Sequence, residues 1–176
     1  MRAILQLHHG TSLISRLITW QTRSPVSHAS VWFPDDDVVI ESKEGRGVQQ
    51  TPGASLAADR AAGRIQCFAV EGMTPELAHA VRAFLSAKVG AGYDYRAILK
   101  FISRRRAGNN ARWFCSELVF AAYQHAGIRL LAHIEAWAVS PGDLLTSPLL
   151  VPLDESALEE AVRTPSPPPD AAPLFI

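Results

Sequence analysis

The stretch Ser27-His28-Ala29-Ser30-Val31-Trp32-Phe33-Pro34-Asp35-Asp36-Asp37-Val38-Val39-Ile40-Glu41-Ser42 reads as two short strands around a turn. β-branched and aromatic residues fill both flanks, and a proline followed by three aspartates cannot extend a strand. A loop over 34–37 pairs Phe33 with Val38, and a tighter loop at Asp35-Asp36 gives the same register. Ser30 then faces Glu41, and Glu41 becomes the diagonal neighbour of His28 on one face of the hairpin. Diagonal partners stand ~7–8 Å apart at the backbone, within reach of a glutamate and an imidazole. A loop of odd length would flip the parity and separate them. Two readings of the pair stay open: a chemical site, or a charged ladder facing solvent.

Outward from the hairpin, residues 2–7 read as a strand ending at His8-His9-Gly10, and Thr11 or Ser12 caps a helix bearing Leu13, Ile14, Leu17 and Ile18. Residues 48–51 and 64–70 read as further strands, with Gly45, Gly47, Gly63 and Gly72 as punctuation. The later chain is helical: residues 75–89, capped by Thr74 with Pro75 at the first position, then 95–105 and 113–126, the last stopped by Gly127. Ser140-Pro141-Gly142-Asp143-Leu144 starts a short final helix. Strands gathered early and helices gathered late predict an α+β domain, not a wound parallel sheet. That domain is expected over 1–153. Residues 154–176 form a short helix capped by Asp154 and then a proline-dense tail. Pro165 to Pro168 fits a PxxP pattern, but a solvated tail is the better reading of it.

The composition narrows the function classes. Among 176 residues, 17 Lys and Arg balance 17 Asp and Glu, so the chain lacks the basic footprint of a nucleic-acid binder. Two cysteines are too few for a disulfide scaffold or a cysteine-built zinc site. The first apolar run is interrupted by Gln6 and ended by His8-His9, short of a signal peptide's core, and no run reaches the ~18–20 apolar residues of a membrane span. A soluble, cytoplasmic protein with no transmembrane segment is the expectation. No cofactor is implied, and Asp35-Asp36-Asp37 is read as a solvated turn with no metal.

Cys115 sits in the first turn of the 113–126 helix, where the spacing of Cys115, Leu118, Val119, Ala122 and Ala126 puts all five on one face. A thiolate there feels the positive end of the helix dipole, and the unpaired N–H groups of the first turn can hold an oxyanion. The same position suits a small buried hydrophobe. Glu117 lies about 200° round the helix and points away. Cys67, in mid-strand, is read as core. A nucleophilic cysteine needs a base, usually a histidine oriented by a third group. Of six histidines, His79 and His125 sit on helices among charged or small residues, and His133 lies in a loop. His8 and His9 end the first strand and stay candidates, while His28 has the hairpin argument with Glu41.

These residues resemble the permuted papain-like amidases, the YiiX-like branch of the NlpC-type cysteine hydrolases. The matching pieces are Ser27-His28-Ala29-Ser30-Val31-Trp32, Val39-Ile40-Glu41-Ser42 with Gly47-Val48, Gly92-Tyr93-Asp94-Tyr95, and Phe114-Cys115-Ser116-Glu117-Leu118-Val119 with Tyr123 and Gly127. Their order spans about residues 1 to 150. The resemblance implies a circularly permuted papain-like fold, a small antiparallel sheet or partial barrel packed on helices. It makes Cys115 the nucleophile, His28 the general base and Glu41 the group orienting His28, in an amidase or peptidase acting on a peptide or amino-acid-containing substrate. It also sets Tyr93, Asp94 and Tyr95 along the cleft. More distant relatives of the lecithin:retinol acyltransferase type use the same residues for lipid acyl transfer, so an acyltransferase or thioesterase is the second reading. A non-catalytic binding module of the same fold is the third. No wall-binding repeat is present, which speaks against peptidoglycan.

Trp20, Trp32 and Trp113 are near the site in sequence, with Trp32 and Trp113 as candidate substrate walls; core packing accounts for them equally. Lys100, Arg104, Arg105, Arg106 and Arg112 form a local basic cluster. It suits an anionic substrate group or a solvated loop.

Overall fold

The computed structural model describes residues 1–94 and 112–163. The strands are β1 (Ile4–His8), β2 (His28–Phe33), β3 (Val38–Lys43), β4 (Gly47–Pro52), β5 (Ile65–Val70), β6 (Gly92–Tyr93), β7 (Arg112–Trp113) and β8 (Leu150–Pro152). The helices are α1 (Leu13–Thr22), α2 (Ala57–Ala61), α3 (Pro75–Ser86), α4 (Cys115–His125), α5 (Pro141–Leu144) and α6 (Glu155–Arg163). Six strands form one open sheet in the order β4-β3-β2-β1-β5-β8, every neighbour antiparallel. The fold is therefore α+β, with an open sheet instead of a closed barrel.

The central hairpin has the register its sequence implies. Pro34–Asp36 make one 3-10 turn, Asp37 takes a left-handed φ of 50°, and Phe33 pairs with Val38 and Ser30 with Glu41. Aspartate tolerates that conformation, and its carboxylate accepts the Ala54 N–H at 3.1 Å. Alternation then sorts β2 by face. Ala29, Val31 and Phe33 join Leu5, Leu7, Ile40 and Val48 in the main core, where Val81 and Leu85 of α3 and Leu118, Val119 and Ala122 of α4 cover them. Trp32, with Ile4, Val39, Ile65 and Cys67, lies on the opposite face beneath Leu158 and Ala161 of α6. A sheet covered on both faces explains why β2 is buried along almost its whole length.

Several boundaries differ from the sequence reading. The cysteine helix begins at Cys115, not at 113, because Arg112 and Trp113 pair in parallel with Gly92 and Tyr93. The Trp113 carbonyl accepts the Ser42 hydroxyl at 2.7 Å and the Asp94 N–H at 3.1 Å, which ties this short strand to β3. The helix after Thr74 ends at Ser86, short of 89, where Ala87 caps it. The helix expected over 95–105, Tyr95, most of the basic cluster and the proline-dense tail lie outside the described residues.

Gly47 connects the sheet to the cysteine helix. It has φ +73°, and a Cβ there would run into the Ala91 carbonyl. The close approach permits the Val48 N–H to Ala91 carbonyl bond at 2.8 Å, with Gly90 N–H returning to the Val48 carbonyl at 2.9 Å. Those bonds fix β6, hence β7, hence the start of α4. Gly45 has a similar φ of +75° but open space around its Cβ position. Gly47→Ala is expected to destabilise by about 2 kcal/mol or more in urea unfolding, and Gly45→Ala by clearly less, since only the first adds a backbone overlap to the dihedral strain.

Candidate active site

On the face of the sheet turned away from the main core, cross-strand pairing lines up one row of polar residues. Gln49 of β4, Glu41 of β3, Ser30 of β2, Gln6 of β1 and Cys67 of β5 are successive register partners. Two residues along the strands, on the same face, His28 pairs with His8. Glu41 is buried and reaches diagonally, so that its Oε2 lies 2.7 Å from His28 Nε2. Its other oxygen accepts the Gln49 amide at 2.9 Å and faces the Lys43 ammonium at 3.9 Å. Both carboxylate oxygens are satisfied, which fixes the plane in which His28 is met.

With Nε2 bound to Glu41, His28 has Nδ1 left to face Cys115, whose charge acts on the ring. Cys115 is the first residue of α4 and is wholly buried, packed with Ile14 and Ile18 of α1, Tyr93 and Phe114. Glu117, expected from its helical angle to point away, acts locally. Its carboxylate accepts the Phe114 N–H at 3.4 Å, which closes the start of α4. The helix thus leaves the N–H groups of its first turn at the sulfur, where they and the dipole favour negative charge.

The electrostatics follow from this enclosure. Burial by itself would depress the His28 imidazolium, but the negative charge and hydrogen bond of Cys115, and then those of Glu41, push it up to about 10. Burial would likewise raise the Glu41 carboxyl. The hydrogen bond and charge of His28 outweigh that, Gln49 and Lys43 add to the effect, and its pKa falls to about 2. The arrangement is a partly buried imidazole bonded to the Glu41 carboxylate and facing Cys115, which suits a base beside a thiol.

Of the other residues singled out from sequence, Tyr93 packs on Phe114 with ring centroids 5.8 Å apart and belongs to the Cys115 cluster. Trp113 immediately precedes this cluster and stacks edge-on against Phe84 at 6.0 Å. Trp32 lies elsewhere: it is buried under the Arg60 guanidinium, 4.1 Å from its ring, and lines a cavity of about 940 Å³ between the sheet and α6. That cavity also meets Cys67 and Leu158 and does not touch the Cys115 cluster. Tyr95 falls outside the described residues.

The sequence alone assigns no role to Gln6, Ser30 or Gln49, and leaves His8 a candidate without a partner. Period-2 alternation marks Ser30 as facing the same way as His28. The β1 and β4 partners become visible only once the strand order is known.

A family model for the permuted papain-like amidases of the YaeF/YiiX type, the C92 family, matches residues 3–135. The chain belongs to this family. It is 27% identical over 153 residues to the probable lipoprotein peptidase YaeF of Escherichia coli K12, a match that takes in 69% of the chain. The chain spans 54% of the length of that relative. The crystal structure of the metalloprotein yiiX from Escherichia coli O157:H7 superposes with a TM-score of 0.67 over 88% of this chain and 96% of that one, at 19% identity, a likeness of fold. Among the described residues of this chain no group of three or more His, Cys, Asp or Glu could hold a metal ion. In this chain the strand that bears His28, β2, precedes the helix headed by Cys115, α4.

Two outcomes test the electrostatics. Because the folded Glu41 carboxyl is depressed to about 2, its stabilising contribution is complete above the ordinary carboxyl range and is lost as pH falls through about 2. Tm should therefore drop between about pH 5 and pH 2, and Glu41→Gln should flatten that acid limb in a thermal scan. Cys115 should alkylate faster than Cys67 at neutral pH although it is the less exposed, 0% against 4%. His28→Ala should remove that advantage, as read by mass spectrometry of the two peptides.

Proposed function

We propose that this protein is a cysteine amidase or peptidase that cleaves an amide in a peptide or amino-acid-containing substrate through Cys115, His28 and Glu41. One observation carries the reading: the 2.7 Å His28–Glu41 contact holds the imidazole beside a cysteine at the head of α4. In this reading the Cys115 thiolate attacks the amide carbonyl carbon. The oxyanion that forms is received by the backbone N–H groups at the start of α4. The His28 imidazolium then gives its proton to the leaving amine, the C–N bond breaks, and a thioester remains on Cys115. Neutral His28 next takes a proton from water, the hydroxide attacks the thioester, and the C–S bond breaks to give carboxylic acid and thiolate, with His28 again protonated and the acid releasing its proton to solvent. Glu41 stays ionised throughout and keeps the ring in plane. Tyr93 and Trp113, beside the head of α4, are the proposed substrate contacts.

A second reading, acyl transfer or thioester hydrolysis on lipid-like substrates, is favoured by one observation. Helix α1 packs Ile14 and Ile18 at Cys115 yet exposes Leu13 at 83%, Leu17 at 41% and Trp20 at 74%. Such a stripe next to a nucleophile suits an apolar acyl group. No helix among the described residues is long and apolar enough to cross a membrane.

The deciding experiment offers short peptides, N-acyl amino acids and acyl thioesters to the parent and to Cys115→Ala, with amine or thiol release and the mass of trapped acyl-enzyme as readouts. The amidase reading expects amine release, a thioester mass on Cys115, and a loss of about a thousandfold or more in Cys115→Ala. Turnover of thioesters without amides establishes the second reading. No acyl-enzyme from any donor, with ligand binding equal in parent and variant, makes the domain a binding module.

A further inference from the structure

Among the described residues, His8 is an ionisable side chain packed on His28 that the proposed chemistry leaves unused. The two rings meet edge-on, with centroids 4.8 Å apart and planes at 79°. This is close to the short end of T-shaped ring contacts and leaves the His28 ring little freedom to swing. His8 does not act alone, because a chain of hydrogen bonds runs from it across the row of polar residues. The Ser30 hydroxyl lies 2.8 Å from His8 Nε2 and donates to Gln6 Oε1 at 3.1 Å, while Gln6 Nε2 donates to Cys67 Sγ at 3.7 Å.

The direction of that chain decides where the His8 proton is. A serine hydroxyl has one hydrogen, and Ser30 spends it on Gln6. Toward His8 it can then only accept, so Nε2 of His8 carries the proton and Nδ1 does not. The Gln6 amide turns its Oε1 to Ser30 and its Nε2 toward the Cys67 sulfur, and this orientation is what sets the tautomer. The groups bearing on His8 are consistent with a neutral ring. Burial disfavours its charged form most, the neighbouring His28 charge adds to this, Lys43 and Arg60 add further, and only Glu41 opposes; its pKa falls to about 3.

We propose that His8 is a positioning residue of this site: fixed as its Nε2–H tautomer by Ser30 and Gln6, it holds the His28 ring edge-on so that His28 meets Glu41 and faces Cys115. The inference rests on the Cys115–His28–Glu41 reading for its consequence in catalysis, but the tautomer and the ring contact can be measured without activity. A neutral neighbour is required, because a second cation against the His28 imidazolium would oppose the charge that the thiolate needs.

The test uses the full chain labelled with 15N-histidine. Long-range 1H–15N spectra at neutral pH are expected to show His8 neutral with the proton on Nε2, and Gln6→Leu is expected to shift His8 toward the other tautomer. His8→Ala is expected to move the ring-nitrogen signals of His28 and to slow iodoacetamide labelling of Cys115 by between about tenfold and a hundredfold, with the Cys67 rate unchanged. His8→Phe, which keeps an aromatic edge and loses the Ser30 bond, is expected to fall between Ala and the parent. If His8→Ala fails to fold, His8→Phe and Gln6→Leu decide the matter. A His8 that is charged or protonated on Nδ1 overturns the proposal. So does a folded His8→Ala with His28 signals and Cys115 labelling within twofold of the parent. Equal labelling of Cys115 and Cys67 in the parent sinks the triad, whereas the His28 signals in His8→Ala still judge His8.

Discussion

A buried carboxylate has to be satisfied, and the way Glu41 is satisfied organises the site. Its two oxygens accept from His28 and Gln49, on the strands either side of β3, with Lys43 close by. Removing any of these would leave charge in a poorly solvated place, at a cost greater than the net worth of one hydrogen bond. The pairing of β2, β3 and β4 and the ionisation of Glu41 are therefore one problem with one solution. Everything that acts on His28 depends on that solution, because an imidazole between a carboxylate and a thiol is useful only when its plane is fixed.

The sheet supplies a second layer of support by the same means. Its main-core face is apolar and anchors α3 and α4, while its other face carries a band of polar groups bordered by Ile4, Trp32, Val39 and Ile65. The band is bonded internally from Gln49 to Glu41 and from His8 through Ser30 and Gln6 to Cys67. Buried polar groups arranged this way rigidify the strands they join. The cysteine arrives from a separate element, brought to the sheet by Gly47 against Ala91, the β6–β7 pair, and Ser42 on the Trp113 carbonyl. Cys115 is held by backbone geometry and His28 by side-chain bonding.

How much of this is legible in the chain differs by element. The hairpin over residues 27–42 is, because side chains alternate with period two and a turn of even parity leaves only one relation between His28 and Glu41. The start of the cysteine helix is legible to within two residues. Trp113 belongs to a strand although an aromatic ahead of a helical stripe looks helical until its partner Gly92-Tyr93 is known. Gln6, Ser30 and Gln49 carry no local signal of their own. A serine or glutamine in a strand is ordinary until the strands beside it are identified.

The sequence by itself determined the class of fold, the parity that puts His28 and Glu41 on one face, and the position of Cys115 at the head of a helix. These follow from interactions within a few residues, where helix and strand periods fix the geometry. Tertiary structure alone decided which strands became neighbours, and hence that His8 lies against His28, that Gln49 completes Glu41, and that Trp32 is buried beneath Arg60 and α6. Strand order comes from burying both faces of a whole sheet at once, a global condition that no local stretch of sequence encodes.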